Sequence, residues 1–300
     1  MRRLQLLCLL LSAITGCSRL QQEVAPDELV NQPEKLIVVC FISPQDTLLT
    51  AKVTLTRPIL SSDNKSTEVT KATVKIAEGS RSVTLAYDAK NKYYKANARQ
   101  FAIEAGKTYQ ITVTTPDGKK AESTCMVPQP VTVARVQFDS LTTNVTNANK
   151  RYYVQLRWQD PAGQKNYYRT TGLFRYVSRQ NTSVIALQPV SFEGAYNMQA
   201  LVTDNGLNGK ILESGRGYLD TGGTLLPAND TFSKLYREAT VTVSLLHTDV
   251  NYYQYHEAVQ RQDATDGNPF AEPVLVTTNI QYGIGCFGAY NRSVVMLKLR

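Results

Sequence analysis

From Leu36 to the end of the chain, apolar and polar residues alternate at a period of two, and Gly, Pro, Asn and Asp break the alternation at short intervals. That period sends successive side chains to opposite faces of a strand, so the fold class is mainly all-β. Leu36-Ile37-Val38-Val39-Cys40-Phe41-Ile42 is apolar at every position, which suits a strand covered on both faces. Val53 and Leu55 then alternate with Lys52, Thr54 and Thr56. Thr73 to Ala77 and Ser82 to Tyr87 flank Glu78-Gly79 as a hairpin. Tyr109, Ile111 and Val113 lead through the turn Pro116-Asp117-Gly118-Lys119 into Ala121 to Val127. Six or seven short strands over residues 35–128 predict an immunoglobulin-like β-sandwich.

Pro128-Gln129-Pro130 marks the boundary, because proline gives a sheet no N–H and fixes its own φ. Residues 131–300 read as a larger β-sandwich-like domain carrying one short α-helix. Tyr152, Val154, Leu156 and Trp158 share one face of a strand; Asp160-Pro161-Ala162-Gly163 turns the chain toward a partner strand at Tyr167 to Tyr176. Residues 204–230, rich in Gly, Asn and Asp, read as tight turns and loops, and Val241, Val243 and Leu245 mark another strand. The helix is expected at about 250–262, capped by Thr248 or Asp249, with Tyr252, Tyr255 and Val259 on one face. A strand from Ser293 to Leu299 closes the chain.

The first residues carry a different signal. Arg2 and Arg3 precede the apolar run Leu4 to Ile14, whose length as a helix, about 16 Å, is roughly half a bilayer core. This is the pattern of a secretory signal peptide over residues 1–16. It ends in Ile14-Thr15-Gly16-Cys17, which resembles a bacterial lipobox; the resemblance makes Cys17 the lipidated residue and residues 17–34 a lipidated tether. Removing 1–16 lowers the count of Lys plus Arg from 33 to 31 against 25 acids, so the formal charge of +8 falls to about +6. An exported chain with scattered cations has no access to nucleic acid; the surplus suits either a solvated surface or attraction to acidic glycans and lipid headgroups. Cys8 leaves with the leader, and Cys40, Cys125 and Cys286 remain, with Cys40 and Cys125 placed so that a bridge between them is conceivable.

Residues 268–290 supply a signature: Asn268, Pro269 and Phe270, then Glu272-Pro273, Asn279-Ile280, and Gly283, Gly285, Phe287 and Gly288. This resembles the closing pattern of domain-of-unknown-function family 4249, exported lipoproteins of Bacteroidetes-type bacteria. Lys35 to Val39, the stretch from Trp158 to Tyr168, and Tyr253-Gln254-Tyr255 are similar too, so the resemblance spans nearly all of 35–300. It departs at Cys40 and Cys286, so no role for those thiols carries over. Genes of such proteins tend to lie beside TonB-dependent outer-membrane receptors, which implies an accessory part in nutrient uptake. The glycines themselves admit two readings: a packed segment that needs Gly for fit, or a partner-docking loop.

Catalytic motifs are sparse. Asp220-Thr221-Gly222 matches half of an aspartic-protease pair and has no second copy. Gly106-Lys107-Thr108 lacks the earlier Gly of a P-loop, since Phe101 stands there, and no Gly-x-Ser-x-Gly occurs. The two His, His247 and His256, suit structural positions better than general-base chemistry, and no spacing suggests a metal site or cofactor. Asp160, Glu193, Asp204 and Glu257 belong to a pool of acids whose separations are spatial.

The tyrosines are more suggestive. Tyr93-Tyr94, Tyr152-Tyr153, Tyr167-Tyr168 and Tyr252-Tyr253 are adjacent pairs, and in a strand the two rings of a pair face opposite ways. Tyr153, Tyr168, Tyr253, Phe270 and Phe287 are therefore the candidate binding or docking residues. The expectation is a non-enzymatic, outer-membrane-anchored lipoprotein acting as an accessory subunit of a TonB-dependent receptor. Its rivals are a freestanding glycan- or peptide-binding protein and a hydrolase. The acidic signal after Cys17 is weak, Ser18 to Glu23 holding one base and one acid, so either membrane face fits.

Overall fold

The computed structural model describes residues 33–57, 66–142, 149–180, 182–194, 200–220, 226–227, 232–266 and 274–300. The leader, Cys17, nearly all of the tether and Phe270 lie outside the described residues.

The first seven strands are β1 (Leu36–Ile42), β2 (Leu48–Leu55), β3 (Thr73–Glu78), β4 (Arg81–Asp88), β5 (Tyr93–Asn97), β6 (Thr108–Thr114) and β7 (Lys120–Met126). They pair in the orders β1-β2-β5-β4 and β3-β6-β7, the two-layer order of an immunoglobulin constant-type sandwich. β4 serves both layers, pairing with β3 through Arg81 to Leu85 and with β5 through Ala86 to Asp88. The inward residues, among them Val38, Ile42, Leu49, Ile76, Tyr109 and Ile111, form the N-terminal core.

Beyond Met126 come β8 (Val133–Thr142), β9 (Asn149–Gln159), β10 (Tyr167–Ser178), β11 (Ile185–Pro189), β12 (Ser191–Phe192), β13 (Leu201–Thr203), β14 (Ile211–Glu213), β15 (Gly217–Tyr218) and β16 (Leu226–Pro227). A helical turn, Phe232–Leu235, leads into β17 (Tyr236–Thr248), helix α1 (Val250–Thr265) and β18 (Gly283–Lys298). β8, β12, β14, β15, β16 and the central β9 form one layer; β11-β10-β17-β18, with β13, forms the other. Val154, Leu156 and Trp158 meet Phe174, Val241 and Val243 between them. β10 is therefore not the hydrogen-bonded partner of β9 that the sequence suggests. The turn after Asp160 carries the chain across the core, so that Trp158 and Tyr168 face each other with ring centroids 5.1 Å apart.

β18 joins the two halves. Gly283 to Ala289 run parallel to β1, and Tyr290 to Lys298 run antiparallel to β17, giving one sheet of twelve strands. Ile280, Phe287 and Ala289, which the sequence places with residues 131–300, thus complete the N-terminal core. The expected strand from Ser293 extends backward through the glycine signature, which its low strand propensity conceals. Gly285 has φ +116, and a Cβ there would overlap Val38 O; at Gly288 a Cβ would lie 3.0 Å from the Tyr252 backbone N. The first glycine admits β1 and the second admits the helix, so these glycines serve packing; Asn268 to Pro273 lie outside the described residues.

α1 begins at Asp249, whose Oδ1 accepts from Tyr252 N at 2.8 Å. The helix lies over β18, and Phe41 of the neighbouring β1 reaches its rings from the outer face of the sheet. This explains why β1 is apolar throughout: Val38 and Cys40 face the core, while Phe41 meets Tyr252 at 4.9 Å and His256 at 5.1 Å between ring centroids.

Candidate binding groove

Where α1 stops covering the sheet, the outer faces of β1 and β2 remain open and a groove of about 550 Å³ forms. One wall is aromatic. Phe41, Tyr252, His256 and Tyr290 make a continuous ring cluster, with Tyr252 4.3 Å from His256 and 5.5 Å from Tyr290. The period of β1 puts Phe41 outward, and the spacing of four on α1 puts Tyr252 and His256 on one face. Arg169 Nη1 donates to Tyr252 Oη at 3.0 Å and holds that ring in place.

The rest of the lining mixes Leu48 and Tyr93 with polar groups: Thr50 and Lys52 of β2, Asn91 and Lys92 of the β4–β5 turn, and Asp46 beside the aromatic cluster. Lys92 adopts φ +59, a conformation uncommon for a residue with a Cβ, and its Nζ lies 2.7 Å from Glu68. Tyr290 Oη donates to Asp46 Oδ1 at 2.9 Å. Burial pushes the Asp46 carboxyl above the usual range, against the opposing pull of Tyr290 and Arg292. His256 is driven down to about 3 by burial and by nearby Arg169, so it is neutral across ordinary pH. Its Nε2 is buried without a hydrogen-bond partner. A neutral ring packed among rings forms wall surface; it is poorly placed to move a proton.

The structure separates the residues chosen from sequence. In three strand pairs the rings do face opposite ways: Tyr94, Tyr152 and Tyr168 point into cores, while Tyr93, Tyr153 and Tyr167 point outward. Tyr168 is consequently no docking residue. It is fully buried, and its Oη donates to Asp160 Oδ1 at 2.6 Å. Phe287 is likewise fully buried, on the core side of β18. Tyr153 lies on the outer face of its sheet but is covered by Tyr218 and by Arg216, whose guanidinium carbon sits 5.3 Å from the ring centre. Tyr253 is half-buried and packs on Tyr167 at 5.1 Å, on the other side of α1 from the groove. None of the described candidates lines the groove.

Sequence reasoning passed over Phe41, Asp46, Lys52, Lys92 and Tyr290. The fully apolar β1 held the available clue, since an outward Phe41 demands a cover and α1 covers only part of it. His247 is structural: Nδ1 lies 2.7 Å from Gln129 O and Nε2 3.1 Å from Asn166 Oδ1. Cys40, Cys125 and Cys286 are free, buried thiols, with burial raising all three well above the usual range. Asp220 is exposed, and Thr221 and Gly222 lie outside the described residues. Among the described residues, no group of three or more His, Cys, Asp or Glu could hold a metal ion, and no helix is long and apolar enough to cross a membrane.

A family model described as Domain of unknown function (DUF4249) matches residues 21–294. No curated protein matches the chain.

Proposed function

Given that the chain belongs to the DUF4249 family, we propose that it is a lipid-anchored outer-membrane protein that holds a small ligand in the groove beside α1, as a non-catalytic accessory subunit of a TonB-dependent uptake system. The basic leader and the lipobox-like ending at Cys17 support the anchor. The observation that carries the binding role is the aromatic cluster of an open groove with polar groups beside it. Rings contribute large contact area for little lost side-chain entropy, and a few polar groups fix a ligand's orientation. The association of related genes with receptors supports the accessory role.

Titration of the purified chain with glycan and peptide panels tests the groove, using Thr50→Trp to fill it. A ligand lost in Thr50→Trp supports the reading; one bound equally by both proteins overturns it. Recovery of a receptor with the protein from detergent-solubilised membranes supports the accessory part, and recovery alone contradicts it.

A further inference from the structure

The twelve-stranded sheet ends on β11, which pairs with β10 alone, in the register Leu173↔Pro189 to Val177↔Ile185. Just past this strand, Val190 N donates to Gly172 O at 2.9 Å. Backbone groups in an antiparallel ladder alternate in direction, so Gln188 and Ala186 face β10 as Val190 does. The N–H and C=O groups of Ile185 and Leu187 therefore point away from the sheet, and none has a backbone partner among the described residues.

Sheet edges are ordinarily blunted by a lysine, an inward charge, a bulge or a covering loop. From Gln180 to Phe192 the chain holds no charged residue. Arg175, opposite Leu187 on β10, is met by Glu238 at 3.4 Å. Ile185 and Leu187 are 59% and 60% exposed, and with Leu173 they form an apolar row on the outer face. Pro189, which cannot donate, sits at the end of the strand and limits its length.

We infer that β11 is the docking edge for a second copy of this chain, the two β11 strands running antiparallel about a two-fold axis at Ala186. That register sets Ile185 opposite Leu187 of the second copy. Each such pair exchanges two N–H···O bonds, so all four outward donors and their carbonyls are met. Pro189 falls beyond the last pair, where its missing N–H costs nothing. Ile185 and Leu187 of both copies gather on one face, and no like charges meet there. A neutral strand gives a foreign partner no charge to be selected by, whereas the two-fold pairing uses both outward residues fully and closes on itself. Five residues a side make a smaller interface than a permanent dimer needs, so the pair forms where copies are crowded. The inference stands apart from the groove, whose lining includes no residue of β11.

Disulfide trapping in cells tests it. Cys40, Cys125 and Cys286 are buried, so an introduced surface cysteine is the accessible thiol among the described residues. Two differently tagged full chains are co-expressed, one with Ile185→Cys and the other with Leu187→Cys, then oxidised with copper phenanthroline and run on a non-reducing gel. Residues paired in this way lie about 5.5 Å apart at Cα, within disulfide reach. The mixed dimer should be roughly fivefold more abundant than the dimer from Val294→Cys chains, whose cysteine would be comparably exposed on the same sheet. Adding Leu187→Pro to the first chain and Ile185→Pro to the second removes two N–H groups that the fold does not use, and the mixed dimer should fall roughly tenfold. Where a proline variant fails to accumulate, Leu187→Lys and Ile185→Lys in their place put like charges across the pair and should act the same way. A mixed dimer no more abundant than the Val294→Cys control, or one undiminished by these changes, overturns the inference. So does a disulfide from either cysteine to a different protein, which would make the edge a docking strand for a foreign chain.

Discussion

The side chain of Asn279 pairs with the backbone of Phe287 in both directions, as a neighbouring strand would. Its Nδ2 donates to Phe287 O at 2.8 Å, and its Oδ1 accepts from Phe287 N at 3.0 Å. One amide thus satisfies the edge of β18 opposite β1, at a residue whose ring is fully buried. Ser123 Oγ donates to Asn279 O at 2.8 Å, and Gln281 pairs with the Glu122 backbone, so the same short segment closes β7 against β18.

Asn279→Ala leaves both Phe287 groups unpaired in a partly buried setting. At about 1–3 kcal/mol for each of the two unmet groups, the loss should be about 2–6 kcal/mol, read from urea unfolding of the wild type and the variant. A loss within the error of the measurement would show that another group takes over the pairing.

Gly285→Ala and Gly288→Ala should differ in kind. The first combines a positive φ with overlap on Val38 O, and soluble folded protein should be scarce. The second presses a methyl 3.0 Å from the start of α1, and a shift of the helix should cost about 1–3 kcal/mol. Because α1 is one wall of the groove, Gly288→Ala should also weaken ligand binding while the protein remains folded, as circular dichroism and titration on the same sample would show.

Asp249 gives the fold a pH dependence. Burial pushes its carboxyl up to about 7, and Oδ2 has no hydrogen-bond partner. The folded state therefore keeps a proton that the unfolded chain releases near pH 4. Stability from this group is fully present below that value and is lost as pH rises through 7, by up to about 4 kcal/mol. Asp249→Asn keeps the cap acceptor for Tyr252 N and removes the charge. It should raise the melting temperature at pH 8, change it little at pH 4, and flatten the profile between; an unchanged profile would contradict this origin.

Within the Tyr167-Tyr168 pair, only the inward hydroxyl should matter to stability. Tyr168→Phe strips a partner from buried Asp160, whose other oxygen accepts from Gly209 N at 2.8 Å, and should cost about 1–3 kcal/mol without altering ligand binding. Tyr167→Phe should be close to neutral in thermal unfolding.

The sandwich class of the first half was legible because inward residues such as Val74, Ile76, Tyr109 and Ile111 keep a strict period of two between clear turns. The helix was legible from its cap and the absence of Gly or Pro. The path of β18 was hidden, since glycine has little strand preference and only the tertiary contact with Val38 and Tyr252 explains it. The groove was hidden for a different reason. Phe41, Asp46 and Tyr290 are far apart in the chain, and sequence shows which face a ring takes only after the cover over that face is known. Tyr168 and Phe287 show the converse error: an aromatic of the right type, in the right pair or signature, spent on the core.

The functional account depends most on the anchor. Cells expressing the wild type and Cys17→Ala can be grown with radiolabelled palmitate and fractionated. Label in the wild-type protein and its sedimentation with outer membranes, both lost in Cys17→Ala, is the predicted result. An unlabelled wild type, or a Cys17→Ala protein that is processed and sediments as before, would contradict the anchor and the uptake role built on it.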